Sequence, residues 1–290
     1  MIRSASPTPA GSTPHYLTPV EDEAIWDRIR AEAESDSVAE PALAGFLNTV
    51  VLGHESLADS LSYLLASKLE SPTVTALTLR DLLQPVFAEN HDIMAAVLAD
   101  LQAIATRDPA CRGYSQPLLY FKGFHAIQAH RVSHHYWKQQ RFALALFLQS
   151  RISEVFAVDI HPGAQLGKGL MFDHATSVVI GETAVIEDDF SMLHEVTLGG
   201  TGKIGGDRHP KIGRGVMIGA GAKVLGNIKV GEGAKIGSGS VVLHDVPPHT
   251  TVAGVPAKPV SYPRSAHPAL DMDQSLDEAS DSNLDPAWTS

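Results

Sequence analysis

Residues 212–242 read IGRGVMIGAGAKVLGNIKVGEGAKIGSGSVV, and an aliphatic residue returns at every sixth position: Ile212, Ile218, Val224, Val230, Ile236 and Val242. Glycine follows four of them, at Gly213, Gly219, Gly231 and Gly237. Small residues stand four positions after the aliphatic at Ala222, Ala234 and Ser240. A helix has period 3.6 and an amphipathic strand period two, so neither produces this pattern. A fixed short repeat predicts a solenoid, in which each unit buries its apolar side only against its neighbours. Leu225 and Leu243 take the place of the glycine, eighteen residues apart. Eighteen residues hold three hexads, so one coil is read as three short strands joined by three turns. Its aliphatics stack inside a prism, and glycine relieves backbone strain at the corners.

The repeat extends toward the N-terminus. It opens at Asp159-Ile160, continues through Leu166 and Phe172, slips by two before Ile180, and resumes at Ile186 and Met192. It stops over residues 199–211, which carry no aliphatic ladder and are read as a loop ejected from a coil. Long loops in a compact solenoid are commonly functional. Residues 20–157 have a different texture. Leu57, Leu61, Leu64, Leu65 and Leu69 follow helical spacing, and Ser71-Pro72 ends the run. Further stripes run from Leu79 to Phe87 and from Ile93 to Ile104, where Asp108-Pro109 breaks the helix. A long helical segment is expected over about Pro117 to Phe156, its last part apolar on more than one face and so buried against another helix or subunit. The fold class is therefore α+β: an all-helical domain at 20–157, then a β-helix at 158–262. Residues 1–19, rich in Ser, Thr and Pro, read as a disordered lead-in, and 263–290 as a mobile acidic tail.

Composition narrows the function. The 290 residues carry a formal net charge of −11, which repels phosphate backbones and anionic membrane surfaces and argues against nucleic-acid or membrane partners. No stretch approaches the length of apolar sequence a membrane span needs. The single cysteine, Cys111, rules out an intramolecular disulfide framework and suits a reducing cytoplasm. The N-terminus lacks the apolar core of a signal peptide.

Few residues offer chemistry. Gly199-Gly200-Thr201-Gly202-Lys203 suggests a phosphate loop, but Thr197 stands where the first glycine belongs and Ile204 where Ser or Thr should follow the lysine. Four histidines, His161, His174, His194 and His209, raise a zinc site, yet none shows the paired short spacing of zinc ligands and no metal is assigned. His174 follows Asp173, and its unperturbed pKa near 6.5 suits a general base. Asp159 lies fifteen residues earlier, close to one coil, where it would fix the tautomer of His174. The alternative is that both are exposed corner residues. Spacing alone does not separate the two.

Longer stretches carry a resemblance. Arg107-Asp108-Pro109-Ala110, Pro117-Leu118-Leu119-Tyr120, Lys122-Gly123-Phe124-His125-Ala126, Val158-Asp159-Ile160-His161-Pro162 and Asp173-His174-Ala175-Thr176 resemble the serine O-acetyltransferases. So do Gly181-Glu182-Thr183-Ala184-Val185-Ile186, Thr197 to Lys203, and Gly206-Asp207-Arg208-His209-Pro210-Lys211. The set covers about residues 20–260, helical domain included. The resemblance implies a left-handed parallel β-helix, a hand that periodicity cannot give and that opposes the usual crossover preference.

It also implies acetyl transfer from acetyl-CoA to the L-serine hydroxyl, giving O-acetyl-L-serine and CoA, the first step of cysteine biosynthesis, with no tightly bound cofactor. By resemblance His174 is the general base and Asp159 its partner. Asp108 and Asp173 recognise the serine ammonium, and Arg208 and His209 hold its carboxylate. An amino-acid zwitterion needs acids at one end and a planar Arg fork at the other. Gly200, Thr201, Ala220, Lys235 and Ser238 match positions lining the coenzyme's groove, and backbone N–H groups near Gly199 and Gly200 are read as oxyanion donors. Lys223, Lys229 and Lys235 recur at six-residue spacing and are read either as contacts to the coenzyme's phosphates or as a solubilising face.

The family forms trimers through the β-helix and hexamers through the helical domain, and L-cysteine is its feedback inhibitor. Many relatives end in Ile, which inserts into O-acetylserine sulfhydrylase. Here the chain ends at Ser290, so that contact is expected to be weak or absent. The other readings are an acyltransferase acting on homoserine or a sugar, and a non-catalytic scaffold.

Overall fold

The structure, a computed structural model, describes residues 17, 19, 21–202 and 205–276. The rest of the lead-in and the chain end at Ser290 lie outside the described residues.

The helical half begins with α1 (Asp22–Ala39) and a short α2 (Ala44–Leu47), followed by α3 (Leu57–Leu69), α4 (Ala76–Glu89) and α5 (His91–Arg107). Side chains cap three of these helices: Ser56 accepts from the Asp59 N–H, Thr75 from the Thr78 N–H, and Asn90 from the Ile93 N–H. Each satisfies a backbone donor that the first helical turn leaves without an intrahelical partner.

The segment read as one helix over 117–156 is three: α6 (Ser115–Tyr120), α7 (Lys122–Lys138) and α8 (Phe142–Phe156). Phe121 breaks out into an extended conformation, and Gln140 turns left-handed with φ 61°, which folds α8 back on α7. Ala145, Leu148, Ile152 and Phe156 form the buried stripe of α8, whereas Phe142 and Leu146 stay exposed.

At Ala157, with φ 55°, the chain leaves α8 and enters the solenoid. One sheet collects β1 (Val158–Ile160), β4 (Val178–Ile180), β7 (Thr197–Gly199), β10 (Lys223–Leu225) and β13 (Val241–Val242). A second collects β2 (Gln165–Leu166), β5 (Val185–Ile186), β8 (Lys211–Ile212) and β11 (Lys229–Val230). The third holds β3 (Met171–Phe172), β6 (Ser191–Met192), β9 (Met217–Ile218), β12 (Lys235–Ile236), β14 (Thr251–Gly254) and β15 (Ala257–Ser261). All pairings are parallel except β14 with β15, which closes the end of the third sheet.

The expected ladder is the core. Ile160, Ile180, Leu198, Val224 and Val242 stack on one wall, Ile186, Ile212 and Val230 on the second, and Phe172, Met192, Ile218, Ile236 and Val252 on the third; all are buried. Each contributes roughly 1.5–3 kcal/mol by leaving water.

Register measures the coil. Lys211 pairs with Lys229 and Met217 with Lys235, eighteen residues apart. In the first coil the step is twenty, with Val158 opposite Val178 and Phe172 opposite Met192. The two additional residues sit in the corner between Phe172 and Val178, where His174, Ala175 and Ser177 all have positive φ. Across the ejected loop the step grows to twenty-six, from Val185 to Lys211.

Six-residue spacing places successive residues on successive faces. Lys223, Lys229 and Lys235 therefore stand on three different sheets and do not form one basic patch.

Residues 263–276, read from sequence as part of a mobile tail, pack on the third sheet. The short α9 (Pro268–Asp271) buries Ala269, whose N–H donates to the Gly215 carbonyl. Ser191 Oγ donates to the Ala269 carbonyl at 2.8 Å. The charges of this segment hide enough apolar contact, at Ala269, Met272 and Leu276, to dock it.

Candidate active site

Two clusters hold the residues singled out by sequence. The first lies where the helical domain meets the corner after β3. Arg107, at the end of α5, is buried. Its Nη1 donates to the Gly169 carbonyl at 2.8 Å and to Ser191 Oγ at 3.2 Å, and its Nη2 pairs with Asp189 at 3.4 Å. This pins the helix end to two coils and sets Asp108 beside Asp173. Gly123 allows the other contact: a Cβ there would stand 2.1 Å from the Phe172 carbonyl oxygen, so only glycine lets α7 approach β3.

Asp173 Oδ2 lies 3.6 Å from His174 Nε2. Burial pushes the Asp173 carboxyl above the usual aspartate range, His174 opposes the rise, and the charge of Asp108 adds to it. His174 is 72% exposed, a high figure for a residue meant to do chemistry. It sits in the two-residue enlargement of the corner, which projects it outward. Asp108, Tyr120, Lys122, Asp173 and His174 line a cavity of about 500 Å³. Lys122 Nζ donates to Thr176 Oγ1 at 2.5 Å.

The second cluster gathers around the ejected loop. Thr183 Oγ1 accepts from the N–H groups of Arg208 (3.0 Å) and His209 (3.1 Å). The Thr183 N–H donates to His209 Nδ1 at 3.2 Å, and its hydroxyl lies 2.9 Å from the same atom. Nδ1 is thus an acceptor, which leaves the proton of a neutral imidazole on Nε2. Burial lowers the pKa of His209, with Arg208 adding to it, so the ring stays neutral near pH 7. Arg208 Nη2 pairs with Glu182 Oε2 at 2.7 Å, and that bond holds the Glu182 carboxyl below its usual range. The His209 ring presses on Gly181, where a Cβ would stand 2.1 Å from Nε2. Gly200 runs alongside: a Cβ there would lie 3.6 Å from His209 Nε2. Asp159 accepts from Gln149 Nε2 at 2.7 Å, and its charge acts on His161, as do those of Glu182 and Arg208.

One chain does not join the clusters. No hydrogen bond or ion pair links Asp159 to His174. The expected dyad fails within the chain because the first coil is twenty residues long, and β1 places Asp159 opposite Val179.

The proposed coenzyme positions divide likewise. Gly200 and Thr201 lie with the loop. Ala220 packs with Leu193, Met217, Ala269 and Met272, and Lys235 is buried under the docked tail, its Nζ donating to the Ser275 carbonyl at 2.6 Å. Ser238 is exposed at the corner one coil beyond Ala220. Sequence reasoning missed the supporting residues Gln149, Glu182 and Thr183. The last two lie in a quoted motif, but nothing in the spacing reveals their partners. The four histidines fall near one another in two pairs: His174 with His194, and His161 with His209. Among the described residues no group of three His, Cys, Asp or Glu is arranged to hold a metal, and no helix is long and apolar enough to cross a membrane.

Known proteins share both halves of this architecture. The serine acetyltransferase N-terminal family matches residues 25–129, and the bacterial transferase hexapeptide (six repeats) family matches residues 209–244. The serine acetyltransferase of Escherichia coli K12 is 58% identical over 252 residues, 87% of this chain and 92% of that protein. The crystal structure of serine acetyltransferase from Vibrio cholerae is 56% identical with a TM-score of 0.87, covering 88% of this chain and 98% of that one. A serine acetyltransferase in complex with cysteine is 53% identical, with a TM-score of 0.86 over 88% of this chain and 99% of that one. A soybean serine acetyltransferase complexed with serine (58% identical, TM-score 0.82, 84% and 100% covered) and a Brucella abortus serine acetyltransferase in complex with coenzyme A (51%, 0.81, 82% and 95%) share the fold. Identity of this order over 87% of the chain, with family matches in both the helical domain and the β-helix, shows that the chain belongs to the serine acetyltransferase family.

Proposed function

We infer that the chain transfers the acetyl group of acetyl-CoA to the hydroxyl of L-serine, giving O-acetyl-L-serine and CoA, the first step of cysteine biosynthesis. The observation that carries this is the pair of complementary clusters. Asp108 and Asp173 present carboxylates beside an exposed imidazole, while Arg208 and His209 present a guanidinium and an Nε2–H donor held by Thr183 and Glu182. The first set suits an ammonium and the second a carboxylate.

Because one chain keeps the sets apart, the working site combines the His174 corner of one copy with the Asp159 and Arg208–His209 face of another. The 72% exposure of His174 suits burial by a second copy. A trimer joined through the β-helices brings every corner against a neighbour's loop. Pairing of trimers through the helical domain makes the hexamer.

His174 takes the proton from serine Oγ as that oxygen bonds to the thioester carbon, and Asp159 of the adjoining copy stabilises the imidazolium. The tetrahedral intermediate collapses, the carbon–sulfur bond breaks with its pair on sulfur, and the imidazolium returns the proton to the thiolate. Ala220 and Ser238 border the acyl donor's path along the coils, and Gly200 contributes backbone to its reacting end. L-cysteine shares the ammonium and carboxylate of serine, so it competes for the same groups. The reaction belongs in the cytoplasm, where acetyl-CoA is made and thiols stay reduced.

The deciding experiment follows thiol release from acetyl-CoA by the purified chain with L-serine, L-homoserine or a hexose as acceptor. Release that depends on L-serine is expected. Preference for another acceptor, or no release by folded protein, overturns the reading.

A further inference from the structure

Asp159 enters the mechanism above as one half of a pair, and the group that aims it belongs to the helical domain. α8 ends at Phe156, Ala157 turns left-handed with φ 55°, and β1 starts at Val158. That turn lays the end of α8 against β1. Gln149, ten residues before Asp159, reaches it across the turn, and its Nε2 donates to Oδ1 at 2.7 Å. A carboxylate only accepts, so the amide must present its nitrogen, and the bond to the ionised acid is charge-assisted. Among the described residues no other group donates to the Asp159 side chain, so Oδ2 is left open. Both residues line a recess of about 500 Å³ with Leu146, Ser150 and Ser153 of α8.

The frame behind Gln149 is firm. Ala145, Leu148 and Ile152 on either side of it are buried. The Ala145 carbonyl accepts from Ser133 Oγ at 2.9 Å, which ties α8 to α7. Arg151 Nε donates to the Leu69 carbonyl at 3.0 Å and its Nη2 to the Glu70 carbonyl at 2.7 Å, which ties α8 to the end of α3. A half-buried carboxylate on a strand has several rotamers open to it. An acid that supports an imidazolium must hold one, and a hydrogen bond from a fixed neighbour selects it.

We propose that Gln149 is a positioning residue of the same reaction, its amide turning the Asp159 carboxylate so that Oδ2 meets a ring N–H of His174 in the adjoining copy. The inference rests on the transferase reading and on its pairing of Asp159 with His174. No bond forms or breaks at Gln149, and its amide protons stay in place. The helical domain thereby sets the geometry of a proton transfer that takes place on the β-helix.

Five full-length proteins test this: wild type, Gln149→Met, Gln149→His, Asp159→Ala, and the double variant Gln149→Met with Asp159→Ala. Met keeps the length and removes the donor, whereas the His Nε2–H restores a donor of similar reach. Each is assayed for kcat and KM by L-serine-dependent thiol release, for melting temperature, and for particle mass by light scattering. A hydrogen bond to a charged group is worth roughly ten- to a hundredfold. Gln149→Met is expected to lower kcat about tenfold, with KM for L-serine within about threefold of wild type and the oligomer intact. Gln149→His is expected to recover about threefold of that loss. In the Asp159→Ala background the change to Met is expected to cost less than about twofold, since no carboxylate remains to aim. A kcat for Gln149→Met close to wild type overturns the proposal. So does an equal fall in both backgrounds, failure of His to do better than Met, or loss of the oligomer, which marks a packing role. Should Met prevent folding, Gln149→Ala takes its place in the same cycle. Absence of L-serine-dependent thiol release in wild type overturns the transferase reading, and an Asp159→Ala protein as fast as wild type overturns the pairing with His174; either removes this inference too. A slow Asp159→Ala beside an unaffected Gln149→Met overturns this inference alone.

Discussion

The two clusters differ in how their polar atoms are satisfied. Around the loop, Arg208, His209, Glu182 and Thr183 bond to one another, and one threonine hydroxyl serves two backbone N–H groups and a ring nitrogen. At the corner after β3, His174 is exposed, Asp173 holds it only at 3.6 Å, and Nδ1 of the neighbouring His194 lacks a partner. A recognition surface gains from rigid donors set in advance. A reacting centre must keep lone pairs and protons uncommitted until substrate arrives. On the proposed reading, the loop cluster reads a carboxylate and the corner cluster moves a proton.

Breaking the corner gives the largest effect. His174→Ala removes the proposed general base, a change typically worth about a hundred- to ten-thousandfold in rate. The residue is exposed and contributes little packing, so the melting temperature is expected to hold while L-serine-dependent thiol release collapses. Activity within a few-fold of wild type would remove His174 from the mechanism.

Breaking the loop cluster acts on binding. Arg208→Ala deletes the guanidinium and leaves Glu182 without its 2.7 Å partner. A hydrogen bond to a charged group is worth about 1.5–3 kcal/mol, or roughly ten- to a hundredfold in affinity. Titration calorimetry is expected to show L-serine and L-cysteine weakened together, while maximal thiol release at saturating serine falls far less than in His174→Ala. Loss of serine binding with cysteine binding intact would show that the two amino acids do not share the site.

The smallest effect sharpens the contrast between function and stability. Burial raises the folded-state pKa of Asp173 above its ordinary 3.8. An acid shifted this way favours the fold below its unfolded pKa, and that contribution is lost as pH rises through the folded pKa. Ionised Asp173 therefore costs stability at neutral pH, where the proposed reading pairs it with the ammonium. Asp173→Asn is expected to raise the melting temperature at pH 7 by no more than about 2–4 °C, and to lose the gain at pH below the ordinary value. In wild type, KM for L-serine is expected to rise as pH falls toward the raised pKa. Thermal scans and serine titrations across pH check both signs, and an Asp173→Asn protein that melts lower at pH 7 would contradict them.

Legibility followed the same divide. The six-residue ladder from Ile212 to Val242 specifies strands, coil length and core, because burial of an aliphatic residue every sixth position leaves little choice of structure. The slip of two before Ile180 marked the enlarged corner at His174, although spacing alone did not reveal its purpose. The helical stripes gave α3 to α5 closely. They merged α6 to α8, because the breaks at Phe121 and Gln140 carry neither proline nor glycine.

By itself, then, the sequence determined what repeats: the aliphatic period, the coil of three hexads, the loop that interrupts it, and the motifs that identify the family. Tertiary structure decided what meets. It set Asp159 opposite Val179 and away from His174, spread three evenly spaced lysines over three faces, docked an acidic segment through Ala269 and Met272, and put His194 against His174. The reason is geometric. Periodic burial is a local rule that each residue obeys with its near neighbours, whereas contact between side chains depends on cumulative register. Two residues added in one corner shift that register for every group beyond it.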